Sequence, residues 1–310
     1  MPSAPLVAVL LCTYQGEDYL APQLNSIARQ THGRWQVWAS DDGSRDKTLP
    51  ILDRFRKEWG GELLKILPGP CTGFVANFLS LIRNGAIRAD YYAYADQDDF
   101  WEADKFERAL AWLEKQPADV PCLYMTRTRL IDAEGGDIGF APLFTSKPPT
   151  FANAIVQSIG GGNTMVFNAA ARALMQTHTP DVPLVSHDWW TYMLVTGAGG
   201  RAYYDSYPSV RYRQHGANVF GANAGLLNRL GRAVRVFGGR FRTWGEINMA
   251  SLAHVRALLT PENQRIYDTF ALARSGSLPG RLLALKRSGV HRQGFVDNIG
   301  LYVAALFNRL

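Results

Sequence analysis

Three carboxylates stand within four residues in the segment Asp96-Gln97-Asp98-Asp99, directly after the apolar residues 91–95. Negative charges this close repel one another, so the pattern favours a bound cation. Carboxylate oxygens are the ligands that hard divalent ions prefer, and Mg²⁺ or Mn²⁺ held by one or two of them commonly bridges to substrate phosphates. The alternative is a solvated turn in which Asp99 caps the helix that follows.

A second acidic segment, Asp41-Asp42-Gly43-Ser44-Arg45-Asp46, follows the apolar residues 35–40. Gly43 would let the backbone turn, and a carboxylate there can accept hydrogen bonds from a pyrimidine imide or from ribose hydroxyls. The alternative is an ordinary turn in which Asp46 or Ser44 caps the next helix.

Basic side chains alternate along the extended segment 203–214, where Arg211, Arg213 and the following His215 would point to one face. Two guanidinium groups and an imidazole suit a pyrophosphate, and His215 could instead join a metal site. A solvated strand face is the alternative. The glycines of segment 160–163 would either let a ligand approach the backbone closely or serve a bulge or turn.

The elements that must position these residues alternate along the first hundred positions. Alternation of this kind predicts a parallel α/β sheet, in which ligands bind beyond the carboxyl ends of the strands. No G-x-G-x-x-G follows the first strand, which argues against a dinucleotide-dependent enzyme. The predicted strands are 6–12, 35–40, 63–67 and 91–95, and the predicted helices are 19–29, 48–59 and 74–84.

Beyond residue 101 the pattern is looser. We predict helices at 103–116 and from 187 to about 195, strands at 120–131, 164–167 and 203–214, and a loop-rich stretch at 137–158. From residue 226 onward the chain is predicted to be helical, with breaks at Gly238-Gly239, Pro261 and Pro279.

Charge is distributed unevenly over the 310 residues, whose net charge is +6. Residues 1–224 carry 20 Lys/Arg against 23 Asp/Glu, and residues 225–310 carry 13 against 4. An acidic-leaning body argues against a nucleic-acid groove, while a basic appendage predicts an anionic partner. In segment 226–244, apolar residues alternate with Arg229, Arg232, Arg235, Arg240 and Arg242, which indicates either a helix at a membrane interface or a packed helix with a solvated arginine face.

Cysteine usage and hydropathy suggest where the protein works. The three cysteines show neither CxxC pairing nor zinc spacing, which indicates a reducing compartment. The apolar residues 6–12 are too few for a signal sequence and have no basic region before them. We therefore expect a cytoplasmic protein, in peripheral contact with the inner face of the cytoplasmic membrane if the basic segment meets lipid.

Taken together, these segments resemble the family 2 inverting glycosyltransferases, and in particular their bacterial rhamnosyltransferase-type branch. The resemblance spans about three quarters of the chain. It rests on 10–16 (LLCTYQG), 26–31 (SIARQT), 40–48 (SDDGSRDKT), 96–101 (DQDDFW) with Asp104-Lys105, 161–168 (GGNTMVFN), 187–190 (HDWW) and 212–218 (YRQHGAN).

The resemblance implies a GT-A fold of the α/β class, with a single mostly parallel central sheet flanked by helices and a helical C-terminal extension. It divides the chain into a catalytic domain, 1–224, and a basic extension, 225–310. The nucleotide-binding half would be about 1–105 and the acceptor half about 106–224. The implied donor-binding residues are Thr13, Tyr14, Asp42, Asp96, Arg213 and His215, and the implied ligands of Mn²⁺ or Mg²⁺ are Asp96, Asp98 and His215.

Asp188 matches the catalytic base of these enzymes, and His187 stands where the family often has an acidic residue. Inversion needs a carboxylate opposite the leaving group to take the proton of the acceptor hydroxyl. From the residues alone, Asp188 could equally be an N-terminal helix carboxylate favoured by the helix dipole.

The function implied is transfer of rhamnose from dTDP-rhamnose to a hydroxyl of a bacterial surface glycan or lipid-linked saccharide. A UDP-hexose donor is the alternative within the fold. The rival from another class is a non-catalytic protein that binds an anionic surface or nucleic acid through the basic extension. The acidic strand exits oppose that rival, because they would repel a polyanion.

Overall fold

The computed structural model describes residues 4–177, 182–215 and 240–310. Its nine strands form one sheet in the order β3-β2-β1-β4-β8-β6-β9-β5, with β7 paired to β6. The strands are β1 Val7–Thr13, β2 Trp35–Asp41, β3 Leu64–Pro68, β4 Tyr91–Asp96, β5 Phe100–Trp101, β6 Cys122–Ile131, β7 Asp137–Phe140, β8 Val166–Asn168 and β9 Arg201–Arg213.

Helices flank the sheet. They are α1 Leu20–Ala28, α2 Thr48–Trp59, α3 Phe74–Arg83, α4 Lys105–Leu113, α5 Phe151–Ala154, α6 Ala169–Met175, α7 His187–Gly197, α8 Arg240–His254, α9 Pro261–Ser275, α10 Leu278–Ser288 and α11 Phe295–Leu306, with 3₁₀ turns at Gly162–Thr164 and Arg256–Leu258. Within the described ranges no helix is both long and apolar enough to cross a bilayer.

The register of the first three paired strands brings the polar exits together. Strand β1 is buried along its whole length and pairs in parallel with β2 and β4. Thr13 lies opposite Asp41, and Cys12 lies opposite Asp96. Fully apolar strands of this kind form the centre of parallel sheets, so the predicted α/β arrangement is confirmed.

Two hydrophobic clusters cover the two faces of the sheet, and alternate residues of β1 enter each of them. Val7 and Val9 pack with the helices α1, α2 and α4, whereas Ala8 and Leu10 pack with α3 and α7. Helices α8 to α11 contribute to the second cluster, which therefore joins the C-terminal helices to the sheet. The predicted boundary between 224 and 225 lies outside the described residues, as do residues 226–239 of the predicted basic helix.

Several predictions for the second half were wrong in detail. The stretch predicted to be loop contains β7 and α5, and helix α6 was missed. Asn168 begins α6, since its side chain accepts a hydrogen bond from the amide of Ala171. The strand predicted at 164–167 starts only at Val166, because residues Gly162–Thr164 form a 3₁₀ turn.

Candidate active site

The acidic loop, residues 96–99 at the end of β4, is contacted by His215, which follows β9. The Nε2 atom of His215 lies 2.7 Å from Oδ2 of Asp98. Burial, and then the charges of Asp98 and Asp188, raise the pKa of Asp96 to about 8. Asp96, Asp98, Asp188 and His215 therefore come from distant parts of the chain to one site.

Asp99 lies beside this cluster, and burial and then the charges of Asp98 and Asp96 raise its pKa. Its carboxylate is fully buried and accepts a hydrogen bond of 2.5 Å from Nδ2 of Asn163. Helix α4 begins at Lys105, after Asp104, so the reading of Asp99 as a helix cap was wrong.

The guanidinium of Arg213 donates hydrogen bonds to backbone carbonyls of the acidic loop and of the turn after β6. Its Nε donates to the carbonyl of Asp98 at 3.1 Å, and its Nη1 donates to the carbonyl of Ala133 at 2.8 Å. The ring of Tyr19 lies against both Arg213 and His215. The described contacts favour a positioning role for Arg213, beside its predicted role in donor binding.

Arg211 has a different partner from Arg213. Its Nε donates to Oε1 of Glu102 at 2.7 Å, and its guanidinium covers the ring of Phe100. This ion pair holds Arg211 away from Asp98, and His215 lies beyond the end of β9, so the common face of Arg211, Arg213 and His215 stays a prediction.

The residues at the carboxyl ends of β1 and β2 form the other side of the site. Thr13 donates to Oδ2 of Asp41 at 2.8 Å, so its hydroxyl stabilises the turn after β2. The two carboxylate oxygens of Asp42 accept the backbone amides of Cys71 and Gly73, at 2.7 and 2.9 Å. Tyr14 is 57% exposed, which leaves its ring open to a planar ligand.

Gln97, the second residue of the acidic loop, links this loop to Tyr14 after β1. Its Oε1 accepts the amide of Tyr14 and its Nε2 donates to the carbonyl of Tyr14, both at 2.8 Å. The sequence reasoning gave Gln97 no role. A side chain that offers one donor and one acceptor was the available signal, because it can pair with both backbone groups of one residue.

Asp188 stands in the first turn of α7, half-buried, with both oxygens engaged. Oδ2 accepts the amide of Gly162 at 3.0 Å, and Oδ1 accepts the amide of Trp189 at 2.7 Å. The helix N-terminus stabilises the anion. A carboxylate fixed in this way, close enough to contribute to the raised pKa of Asp96, can accept a proton in the site.

His187 is buried next to Asp188, and its ring packs against aromatic side chains. Its ring stacks on Phe78 with the centroids 3.8 Å apart, and neither ring nitrogen has a hydrogen-bond partner among the described residues. Burial lowers the pKa of His187 to about 4, so the ring is neutral near pH 7.

The buried ring of His187 accounts for the glycine at position 162. A Cβ added to Gly162 would lie 2.5 Å from Nε2 of His187, and one added to Gly160 would lie 3.0 Å from Met125. Close packing thus requires glycine at position 162 and leaves little space at position 160, which favours the structural alternative over approach of an acceptor sugar at these two positions.

A buried lysine supports the loop that holds Asp188. Nζ of Lys105 donates to the carbonyl of Asn163 at 3.0 Å and lies over the ring of Trp101. Burial lowers the pKa of Lys105 to about 7. Asn163 is thus held by Lys105 and Asp99, and its neighbour Gly162 donates to Asp188. The segment Asp104-Lys105 belonged to the resemblance, but the sequence reasoning gave Lys105 no role.

The donor set at Asp96 and Asp98 fits a divalent cation. Like charges contribute to the raised pKa of Asp96, and a dication would offset that repulsion. No group of three or more His, Cys, Asp or Glu residues within the described ranges has ligand geometry. The predicted set of three ligands, Asp96, Asp98 and His215, is therefore not assembled among the described residues, and the repulsion at Asp96 favours an ion that one or two carboxylates would hold.

The sequence is similar to those of known proteins. The family model "Glycosyl transferase family 2" matches residues 8–170. The dTDP-rhamnosyl transferase RfbG of Shigella flexneri is 28% identical over 222 residues, which cover 69% of this chain and 74% of that protein. The putative teichuronic acid biosynthesis glycosyltransferase TuaG of Bacillus subtilis is 31% identical over 109 residues, or 35% of this chain and 42% of that one.

Solved structures show the GT-A fold. TarS 1–349 of S. aureus in complex with UDP-GlcNAc has a TM-score of 0.55 at 15% identity, over 97% of this chain and 90% of that one. The mannosyltransferase PcManGT of Pyrobaculum calidifontis, in complex with GDP-Man and Mn²⁺, has a TM-score of 0.52 at 17% identity, over 99% and 86%. The expected fold is confirmed.

Proposed function

This chain belongs to glycosyl transferase family 2, and from that premise we propose that it transfers rhamnose from dTDP-rhamnose, with inversion, to a hydroxyl of a bacterial surface glycan or lipid-linked saccharide. It is a glycosyltransferase that uses a nucleotide-sugar donor. The observation that most supports the finer proposal is the meeting of Asp188 with Asp96 and Asp98. The similarity to a dTDP-rhamnosyl transferase over 222 residues supports the choice of sugar.

The nucleotide binds, in this proposal, between the exits of β1 and β2. Tyr14 offers an open ring for the base, and the amides of Cys71 and Gly73 hold the carboxylate of Asp42 in one orientation. Preorganised acceptors lose little entropy when the ligand binds. Asp96 faces the ribose.

Asp188 acts as the general base. Its carboxylate takes the proton of the acceptor hydroxyl while that oxygen bonds to the anomeric carbon, and the bond from this carbon to the nucleotide diphosphate breaks. The hydrogen bonds from Gly162 and Trp189 keep the carboxylate in place during the transfer. Because the ring of His187 is buried against Phe78, we assign the proton to Asp188 alone.

Mn²⁺ or Mg²⁺ held by Asp96 and Asp98 would neutralise the charge that builds on the departing diphosphate. His215 orients Asp98 through the contact of 2.7 Å. Arg213 holds the backbone of the same loop. The chain's own residues thus fix the acidic loop before any ion arrives.

A donor screen tests the proposal. Purified protein is mixed with Mn²⁺ or Mg²⁺ and a panel of nucleotide sugars, and thermal stabilisation and slow hydrolysis are followed. We expect dTDP-rhamnose to give the largest response, and this response should require the metal. A larger response to a UDP-hexose would replace the donor but keep the reaction class. No response to any nucleotide sugar would overturn the assignment.

A further inference from the structure

Helix α11 turns an apolar face to the outside of the molecule. Phe295 is 81% exposed and Ile299 is 51% exposed, although both are strongly apolar. Exposed apolar residues recur at the spacing of one helical face, while Leu301, Ala304 and Ala305 on the opposite face are buried in the core. The exposed set is Phe295, Val296, Ile299, Tyr302, Leu306 and Phe307.

The neighbouring helix α10 extends this face. A groove of about 510 Å³ separates the two helices and is lined by Leu282 together with residues of α11. Leu278 and Leu283 of α10 are also exposed. Single exposed apolar residues are ordinary, but a contiguous apolar surface marks a place where the protein meets another body. We call this surface the α10–α11 face.

Basic side chains border the α10–α11 face. Lys286 and Arg287 are exposed and lie one helical turn beyond Leu282 and Leu283, on the same side of α10. Arg281 donates to the carbonyls at the end of α11. Residues 240–310 carry 10 Lys/Arg against 4 Asp/Glu, so the surrounding potential is positive.

The positive charge around the α10–α11 face indicates which kind of partner binds it. A second copy of the chain would bring two positive surfaces together, which opposes self-association. An anionic lipid surface complements the charge, and each basic residue near it contributes about 1 kcal/mol of attraction. Phe295, Tyr302 and Phe307 are aromatic side chains of the kind enriched at membrane interfaces.

We propose that the α10–α11 face docks on an anionic lipid surface, with the apolar residues of α11 entering the headgroup boundary and the cations of α10 meeting the lipid charge. Helix α11 has 12 residues, too few to span a bilayer, so it lies in the plane of the interface. The residues that form this surface are neither those of the acidic site nor those of the predicted basic segment 226–244.

Vesicle sedimentation of the full chain tests the proposal. The probes are vesicles of phosphatidylcholine alone and of phosphatidylcholine with phosphatidylglycerol, at low and high salt. We expect binding that requires the anionic lipid and falls as salt rises. Phe295→Ser with Ile299→Ser should weaken binding by more than about tenfold, because two apolar side chains no longer leave water. Lys286→Gln and Arg287→Gln should each weaken it about fivefold.

Leu63→Ser is the matched control, since Leu63 is 39% exposed and directly precedes β3, the strand at one edge of the sheet. It should bind vesicles like the wild type, and unchanged unfolding temperatures would show that all variants are folded. Failure of the wild type to bind anionic vesicles at low salt overturns the proposal. Full binding by the Phe295→Ser, Ile299→Ser variant also overturns it. So does a wild-type dimer that this variant abolishes, if the wild type does not bind vesicles.

Discussion

At the scale of single residues, Asp188 has two possible roles, general base and helix N-terminal carboxylate, and one substitution separates them. Asp188→Asn keeps the shape, and its single carbonyl oxygen can still accept one of the two amides of Gly162 and Trp189, but it cannot take a proton. We expect kcat to fall by about 10²–10⁴ while donor affinity stays near that of the wild type. Steady-state kinetics and donor titration measure the two quantities. Equal losses in both would indicate that the carboxylate is structural.

Asp98 should have a different signature, because its proposed partners are the metal and His215. Asp98→Ala removes one negative charge beside Asp96, so the pKa of Asp96 should fall and the fold should survive. Donor affinity should lose its dependence on Mn²⁺ or Mg²⁺, and transfer should stop. Calorimetric titration of the nucleotide with and without metal is the measurement. Asp104→Ala, in a half-exposed ion pair with Arg108, is the control.

Lys105 contributes through burial. Lys105→Met would leave the carbonyl of Asn163 without its donor, at a cost of about 1–3 kcal/mol in the free energy of unfolding. We expect kcat to fall as well, because the loop that orients Asp188 loses a support. Lys115→Met, on an exposed residue shortly after α4, should change neither quantity.

The difference in stability between the wild type and Lys105→Met should depend on pH, because the pKa of Lys105 is lowered to about 7 in the folded protein. An unfolded lysine titrates near pH ~10.4, so between these values the unfolded chain binds more protons and folding stability rises with pH. The stability of the wild type relative to Lys105→Met should therefore increase from about pH 7 to pH 9. Chemical denaturation at several pH values measures it, and a flat difference would indicate that Lys105 is not buried as described.

At the scale of elements, Gly162 is the contact between α7 and the 3₁₀ turn. Gly162→Ala would push a methyl group to within 2.5 Å of Nε2 of His187 and displace the amide that holds Asp188. We expect a drop in kcat of about tenfold or more, since small misplacements in a site are costly. His187→Ala in the same chain should restore part of the lost rate by making room. An equal loss in the double variant would contradict this account.

The same elements show how far sequence reasoning reaches. Strands β1, β2 and β4 were predicted because each is an apolar run followed by polar residues, and their exits meet as parallel pairing requires. Helix α6 and strand β7 were missed because they are short and their apolar pattern is weak. Asp98 and His215 were grouped through the resemblance. The roles of Lys105 and Gln97 depend on contacts between segments distant in sequence, which no local pattern encodes.

At the scale of the whole molecule, the C-terminal helices are built into the catalytic core. Asn263 of α9 donates to the carbonyls of Thr196 and Gly197, the last residues of α7, and the amide of Thr260 also donates to Gly197. Trp244 packs edge-on against Trp189, the residue after Asp188. The helix that carries Asp188 is thus held at one end by the acidic site and at the other by α9.

This shared core leads to a prediction about cooperativity. Leu252 of α8 is fully buried in the cluster that also contains Trp189 and Phe78. Leu252→Ala should lower the free energy of unfolding by about 2–5 kcal/mol, because it leaves a cavity in that cluster. If the sheet and the C-terminal helices unfold together, the loss should appear as one transition, with the donor-binding signal and helical circular dichroism shifting equally. Leu258→Ala, at a residue 39% exposed in the following 3₁₀ turn, should change stability little. Two transitions, of which Leu252→Ala moved only one, would instead support separate domains on either side of residues 224 and 225.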